Sequence, residues 1–301
     1  MHKLLATFLL AGMLSVSGCE RGAVDASDAD ATAPFENAHF TVSVSGQGPD
    51  VVLVPGLASN AEIWDQTVAA FGDQFTFHRI QVSGFAGAAS RGNAGNDDIL
   101  DDLADGLSAY SRSLDQPPAL VGHSLGGLVV LKTALDADAA LDRIVVIDVL
   151  PFFSVLMDEA ATVDTMTPVS AFMKATLLAQ PDDEFAQRQA EALATLVKDE
   201  GDVAQSLQWS IASDRAVMAQ AMSEVLVTDL RADVSRIAVP TTVLYAKDPA
   251  IPNMAAVEAF YHDLYAPLPD GHVVAIDNAL HFIMLDQPEA FRTALLTALE
   301  D

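Results

Sequence analysis

Cysteine is all but missing: Cys19 is the single one in 301 residues. One thiol excludes an internal disulfide framework and a Cys-rich zinc site. Basic residues are scarce too. Fifteen Lys and Arg stand against 42 Asp and Glu, a formal net charge of −27. So acidic a chain repels phosphate backbones, and nucleic acid is not an expected partner. Outside the first twenty residues no apolar run is long enough to span a bilayer, so the body is expected to be soluble. There is no P-loop, no H-E-x-x-H and no complete dinucleotide-binding glycine loop. The carboxylates are scattered, so neither a metal nor a cofactor is expected. Apolar residues are plentiful, at 51% of the chain. That is too much for a disordered protein, and 301 residues suffice for a sizeable core in one large domain or two modest ones.

Met1-His2-Lys3 makes a short cationic start, and the stretch Leu4 to Val16 is mostly apolar but short for a transmembrane helix. This is the layout of a secretory signal peptide over residues 1–18. It ends Val16-Ser17-Gly18-Cys19, which resembles the lipobox of bacterial lipoproteins. The resemblance implies that Cys19 is lipidated and becomes the new N-terminus. The protein is then exported and anchored to a bacterial membrane, facing the periplasm or the exterior. Residues 19–37, with Asp25, Asp28, Asp30 and almost no large apolar side chain, read as a flexible acidic tether.

The body alternates two patterns. Phe40, Val42 and Val44 alternate with polar residues as in a half-exposed strand, and Val51 to Val54 is a solid apolar run of the kind buried on both faces. Similar short runs occur at Phe75 to Ile80, Ala119 to Val121, Ile144 to Ile147, Val243 to Tyr245 and Val273 to Ile276. Helical spacing lies between them, as in Ile99, Leu103, Leu107, Tyr110 and Leu114. Strands alternating with helices predict a mostly parallel central sheet with helices on both faces. Residues 151–233 break the alternation, showing helical patterns and no strand. They are expected to form a helical lid inserted into a core of residues 38–150 and 234–301.

Gly122-His123-Ser124-Leu125-Gly126 follows a short strand and precedes a helical pattern. This is G-x-S-x-G in the strand–turn–helix setting that makes it a nucleophile elbow, with a further Gly at 127. Here the chain resembles the α/β-hydrolase superfamily, from about Phe40 to the C-terminus. The resemblance implies an α/β-hydrolase fold whose lid follows the sixth strand in the family's numbering, in which the run 51–54 is the third. It makes Ser124 the nucleophile. It places the oxyanion hole at the backbone N–H groups of Leu57 and Leu125, with Pro55 where the family usually has His. His281, in a loop after the last strand and followed by an F-x-x-x-D-x-P run, becomes the base. Asp248, ending the strand at 243–247, becomes the orienting acid. Asp148, at the end of the preceding strand, is the alternative that some members use, and Asp277 is near His281 in sequence, which alone does not place it. Gly84-Phe85-Ala86-Gly87 resembles a further family signature and is expected at the pocket rim.

The expected reaction is hydrolysis of a small-to-medium apolar ester through an acyl-enzyme, with no cofactor and no metal. Phe85, Phe152, Met173 and Trp209 are expected to line the substrate pocket, with Met157, Met166, Phe172 and Met218 also facing it. Thioesters, lactones, amides and carbon–carbon bonds are alternatives open to the same constellation. A surface lipoprotein that binds a ligand without turnover is another.

Overall fold

Val51, Val52, Leu53 and Val54 are all essentially buried, because the strand that carries them is covered on both faces. Alternate residues go to opposite cores. Val52 and Val54 join one cluster, and Val51 and Leu53 join the other. The computed structural model describes residues 35–300. Its strands are β1 (Phe40–Gly46), β2 (Asp50–Val54), β3 (Thr76–Val82), β4 (Ala119–His123), β5 (Arg143–Ile147), β6 (Thr241–Lys247) and β7 (Gly271–Asp277). They form one sheet in the order β1-β3-β2-β4-β5-β6-β7. Only β1 runs antiparallel, against β3, and every other pair is parallel.

Parallel neighbours require crossover connections, which helices supply. These are α1 (Asp65–Phe71), α2 (Ile99–Ser113), α3 (Leu125–Leu135), α4 (Val163–Ala179), α5 (Asp182–Leu193), α6 (Glu200–Ala212), α7 (Arg215–Val227) and α8 (Met254–Tyr265), and α9 (Ile283–Asp286) and α10 (Pro288–Glu300) follow the last strand. On one face α2, α3 and α8 contribute Leu103, Leu128 and Tyr265 to a core with Val52, Ile80 and Val146. On the other, α1 and α10 contribute Phe71 and Phe291 to a core with Leu53, Phe77 and Val145. The expected α/β-hydrolase architecture is therefore present.

The helices α4 to α7 fall between β5 and β6, the fifth strand here being the sixth in the family's numbering. Three of them, α4, α6 and α7, begin where a side chain can satisfy free N–H groups. Asp199 Oδ1 accepts the N–H of Gly201 and Asp202, and Asp214 Oδ1 accepts those of Ala216 and Val217. Thr162 and Thr165 cap α4 reciprocally. Several hydrogen bonds tie α7 and the turn before it to the core. Glu224 accepts the first N–H groups of α2, the Ser213 hydroxyl accepts the Ala86 N–H, and Asp214 N–H donates to Gly84.

The signal peptide 1–18, Cys19 and the tether up to residue 34 lie outside the described residues. The tether's last positions do not, and they correct its boundary. Phe35 stacks on Phe40 and tilts against Tyr110 at 4.9 Å, while Asn37 Oδ1 accepts the N–H groups of His39 and Phe40. An aromatic ring and a turn-capping amide bind residues 35–37 to the domain.

Candidate active site

Parallel strands deliver all their C-terminal ends to one edge of the sheet, and ligands bind there in open α/β folds. Ser124 leaves β4 at that edge with φ 54° and ψ −122°, a conformation costly for a residue with a Cβ. Its own backbone holds it there. Ser124 N–H donates to Ile147, and its carbonyl accepts from Gly127 and Leu128. The turn closes so tightly that a Cβ at Gly122 would collide with the Gly126 carbonyl, and one at Gly126 would lie 2.5 Å from the Val54 oxygen. These approaches are why the motif needs glycine on both sides.

The loop after β2 passes directly beside this turn. A Cβ at Gly56 would sit 3.2 Å from Ser124 Cβ. Leu57 and Leu125, the residues expected to offer oxyanion N–H groups, line the same cavity as Ser124. Leu125 opens α3, so its N–H lies in the first turn, where intrahelical partners are lacking. The helix dipole adds positive character at that point.

His281 lines the cavity too, and its carboxylate partner corrects the sequence expectation. His281 Nδ1 stands 2.7 Å from Oδ2 of Asp148, not of Asp248. Asp148 follows β5 with φ 51°, a left-handed step that turns its side chain off the strand line. Its other oxygen accepts the Ala246 N–H at 2.8 Å and the Tyr261 hydroxyl at 3.1 Å. Burial and the neighbouring Asp148 carboxylate hold the Tyr261 phenol well above its usual range, so it stays a donor. Asp248 is spent elsewhere. One of its oxygens accepts the Ala250 N–H and the other pairs with the Lys198 ammonium, which holds its carboxyl below the usual range. Asp277 ends β7 exposed to solvent.

His123 is buried beneath the elbow, its ring 4.6 Å from that of His281. Its Nε2 lies 3.0 Å from the His281 carbonyl oxygen, so Nε2–H is the donor and the proton sits there. Burial pushes its pKa well below 6.5, and His281 adds to the effect. It stays neutral and braces the loop that carries His281.

The cavity has a volume of about 620 Å³. The inserted helices supply an apolar part of its wall through Leu156, Leu193, Met218, Met222 and Val225. Met218 faces the cavity as the sequence suggests. Phe85, Phe152, Met173 and Trp209 do not line it. Phe85 and Phe152 are fully buried in the core around α2 and α3, and the Arg231 guanidinium covers the Phe152 ring. Trp209 is buried in the opposite core, and Met173 packs on the first. Met166 is buried, while Met157 and Phe172 face solvent. Large apolar residues on inserted helices must fix those helices to the domain before any can be spared for a pocket. Among the described residues no group of His, Cys, Asp and Glu is arranged to hold a metal ion.

A family profile described as the alpha/beta hydrolase family matches residues 51–294. The chain belongs to that family. This hydrolase is 24% identical over 261 residues to a pimeloyl-[acyl-carrier protein] methyl ester esterase of Nitrosomonas europaea, covering 84% of this chain and 97% of the relative. Among solved structures it is similar to a bromoperoxidase of Bacillus anthracis, with TM-score 0.71 and 17% identity over 87% of this chain and 95% of that one. It is also similar to an enol-lactonase of Burkholderia xenovorans LB400, with TM-score 0.65 and 16% identity over 87% and 96%. At those identities the two structures speak for the fold alone.

Proposed function

We propose that this hydrolase is a serine esterase acting on small-to-medium apolar esters. The observation that carries the reading is the His281–Asp148 bond of 2.7 Å in the cavity that also holds the strained Ser124 turn. With Nδ1–H donated to Asp148, the Nε2 lone pair of His281 is free to take a proton. Ser124 Oγ attacks the ester carbonyl carbon as its proton passes to His281 Nε2. The carbonyl oxygen becomes an oxyanion, held by the N–H groups of Leu57 and Leu125. The tetrahedral intermediate collapses, the bond to the alcohol oxygen breaks, and His281 returns the proton to the departing alcohol. Water then repeats the sequence on the acyl-enzyme and releases the acid.

Asp148 stabilises the imidazolium in each half-reaction, and its bonds from Ala246 and Tyr261 keep it oriented. The curated relative that acts on a methyl ester supports an ester as the bond cleaved. The apolar wall favours an acyl chain with few charges. The test is labelling by a fluorophosphonate probe together with turnover of p-nitrophenyl butyrate. Wild type should be labelled at Ser124, and Ser124→Ala should lose both labelling and turnover while keeping its circular dichroism. Labelling at another residue, or turnover retained by the variant, would overturn the reading.

A further inference from the structure

The outer face of α4 is unlike the rest of this acidic chain. At successive turns it presents Pro168, Ala171, Phe172, Ala175, Leu178 and Ala179, all exposed. Phe172 is 70% exposed and Leu178 44%. From Thr165 to Ala179 the only charged residue is Lys174. It lies on the inner side, bonded to Gln220 and 3.7 Å from Asp97. The inner face itself is fixed to the domain, with Met166 and Ser170 buried and the Ser170 hydroxyl donating to the Ser223 carbonyl. An apolar face of this kind on a helix anchored from below marks a contact surface.

We propose that this face rests on the surface of a phospholipid bilayer. Three observations select that occupant. The lipobox resemblance at Val16 to Cys19 puts a lipid attachment point sixteen residues before Phe35, a reach of roughly 50 Å at full extension. The domain would thus be confined near a membrane, where a weak surface affinity is enough to hold it down. Charge gives the orientation. On a chain of net charge −27 most faces are repelled by anionic lipid, and the α4 face carries no acid beyond Asp164 in its first turn. Area argues against a second copy. A helix of 17 residues is about 25 Å long and about 10 Å across. That is roughly 250 Å², far below the ~800 Å² per partner of a stable dimer. Leu156 lines the cavity and is itself 42% exposed, at the end of the segment leading into α4. Docking by α4 therefore brings the cavity's rim toward the bilayer, and an apolar ester could pass from the lipid without crossing water.

The proposal uses the Cys19 anchor but not the serine chemistry, and its test is independent of both. Ala175→Cys in a Cys19→Ser background gives full-length protein a single thiol, to which an environment-sensitive fluorophore is attached. The labelled protein is mixed with phosphatidylcholine vesicles in large excess. The label should shift to the blue and be shielded from an aqueous quencher, whereas a label at exposed Glu62→Cys in the same background should not. Adding Phe172→Asp should weaken the partition about tenfold. It should leave turnover of water-soluble p-nitrophenyl butyrate unchanged, which also shows that the variant folds. The anchored form, carrying native Cys19, should show the same shift at far lower lipid. A label at 175 that stays wet with vesicles present would overturn the proposal. So would a dimer in sedimentation that Phe172→Asp converts to monomer, because a second copy would then cover the face.

Discussion

Replacing Asp148 by Asn tests the site at its most informative point, because the surroundings of the carboxylate are fully specified. As an anion it accepts from three donors: His281 Nδ1–H, the Ala246 N–H and the Tyr261 hydroxyl. An amide has one acceptor oxygen and one NH₂. If the oxygen stays with Ala246 and Tyr261, the NH₂ faces His281. The imidazole must then accept at Nδ1 and carry its proton on Nε2, the tautomer that cannot deprotonate Ser124. If the amide flips, the NH₂ opposes the Ala246 N–H and a buried donor is left unpaired, at about 1–3 kcal/mol of stability.

Either way the imidazolium loses its counter-charge. The expected fall in kcat is on the order of 10⁴, or about 5.5 kcal/mol of barrier. Asp248→Asn leaves one acceptor oxygen for either the Ala250 N–H or the Lys198 ammonium, but neither bond reaches His281 or Ser124, so its kcat should fall by less than about tenfold. The assay is kcat for p-nitrophenyl butyrate across pH, with circular dichroism as the fold control. If Asp248→Asn were the crippling change, or Asp148→Asn stayed within tenfold of wild type, the acid would have to be reassigned.

In a series of p-nitrophenyl esters, kcat/KM should rise roughly fourfold per added carbon, following about 0.8 kcal/mol per buried CH₂, until the cavity is full. Met218→Ala and Leu193→Ala, both on the cavity wall, should move that optimum to longer chains, and an unmoved optimum would remove the inserted helices from the acyl pocket. Stability should show the signature of His123. Its pKa is depressed in the folded state, so below about pH 6.5 the unfolded chain takes up a proton that the folded one refuses. That contribution is present above pH 6.5 and is lost as the pH falls, so His123→Gln should flatten the decline of urea midpoints between pH 7.5 and 5.5. An equal slope in wild type and variant would refute it. Gly126→Ala should fail to fold or lose activity entirely, because its methyl would meet the Val54 and Pro55 carbonyls at 2.5 and 2.6 Å. A stable, active Gly126→Ala protein would mean that the elbow is looser than described.

The sheet was legible in the sequence because a strand buried on both faces admits no polar residue. Val51 to Val54 and Ile144 to Ile147 announce themselves without reference to anything distant in the chain. The elbow was legible for a different reason. Its glycines answer to contacts with Gly126, Val54 and Val149, yet those contacts belong to one local turn that recurs as a unit. The acid was not legible, and the reason is geometric. Asp148 and Asp248 both follow parallel strands, β5 and β6, that lie side by side in the sheet. Both sit at the same edge, within reach of the same loop. What separates them is the left-handed step at Asp148 and the presence of Lys198, some fifty residues upstream of Asp248, to occupy the other carboxylate. Tyr261 carried no local signal either, because its donor role exists only once α8 packs against β6 and β7 and its hydroxyl reaches Asp148. The pocket residues failed for an energetic reason. Apolarity shows that a side chain will leave water, but not whether it enters a packed core or a cavity wall. Phe152 and Trp209 bury more area against neighbours than they could against an open cavity, so the core takes them. The shorter Leu193, Met218 and Val225 are left to line the cavity.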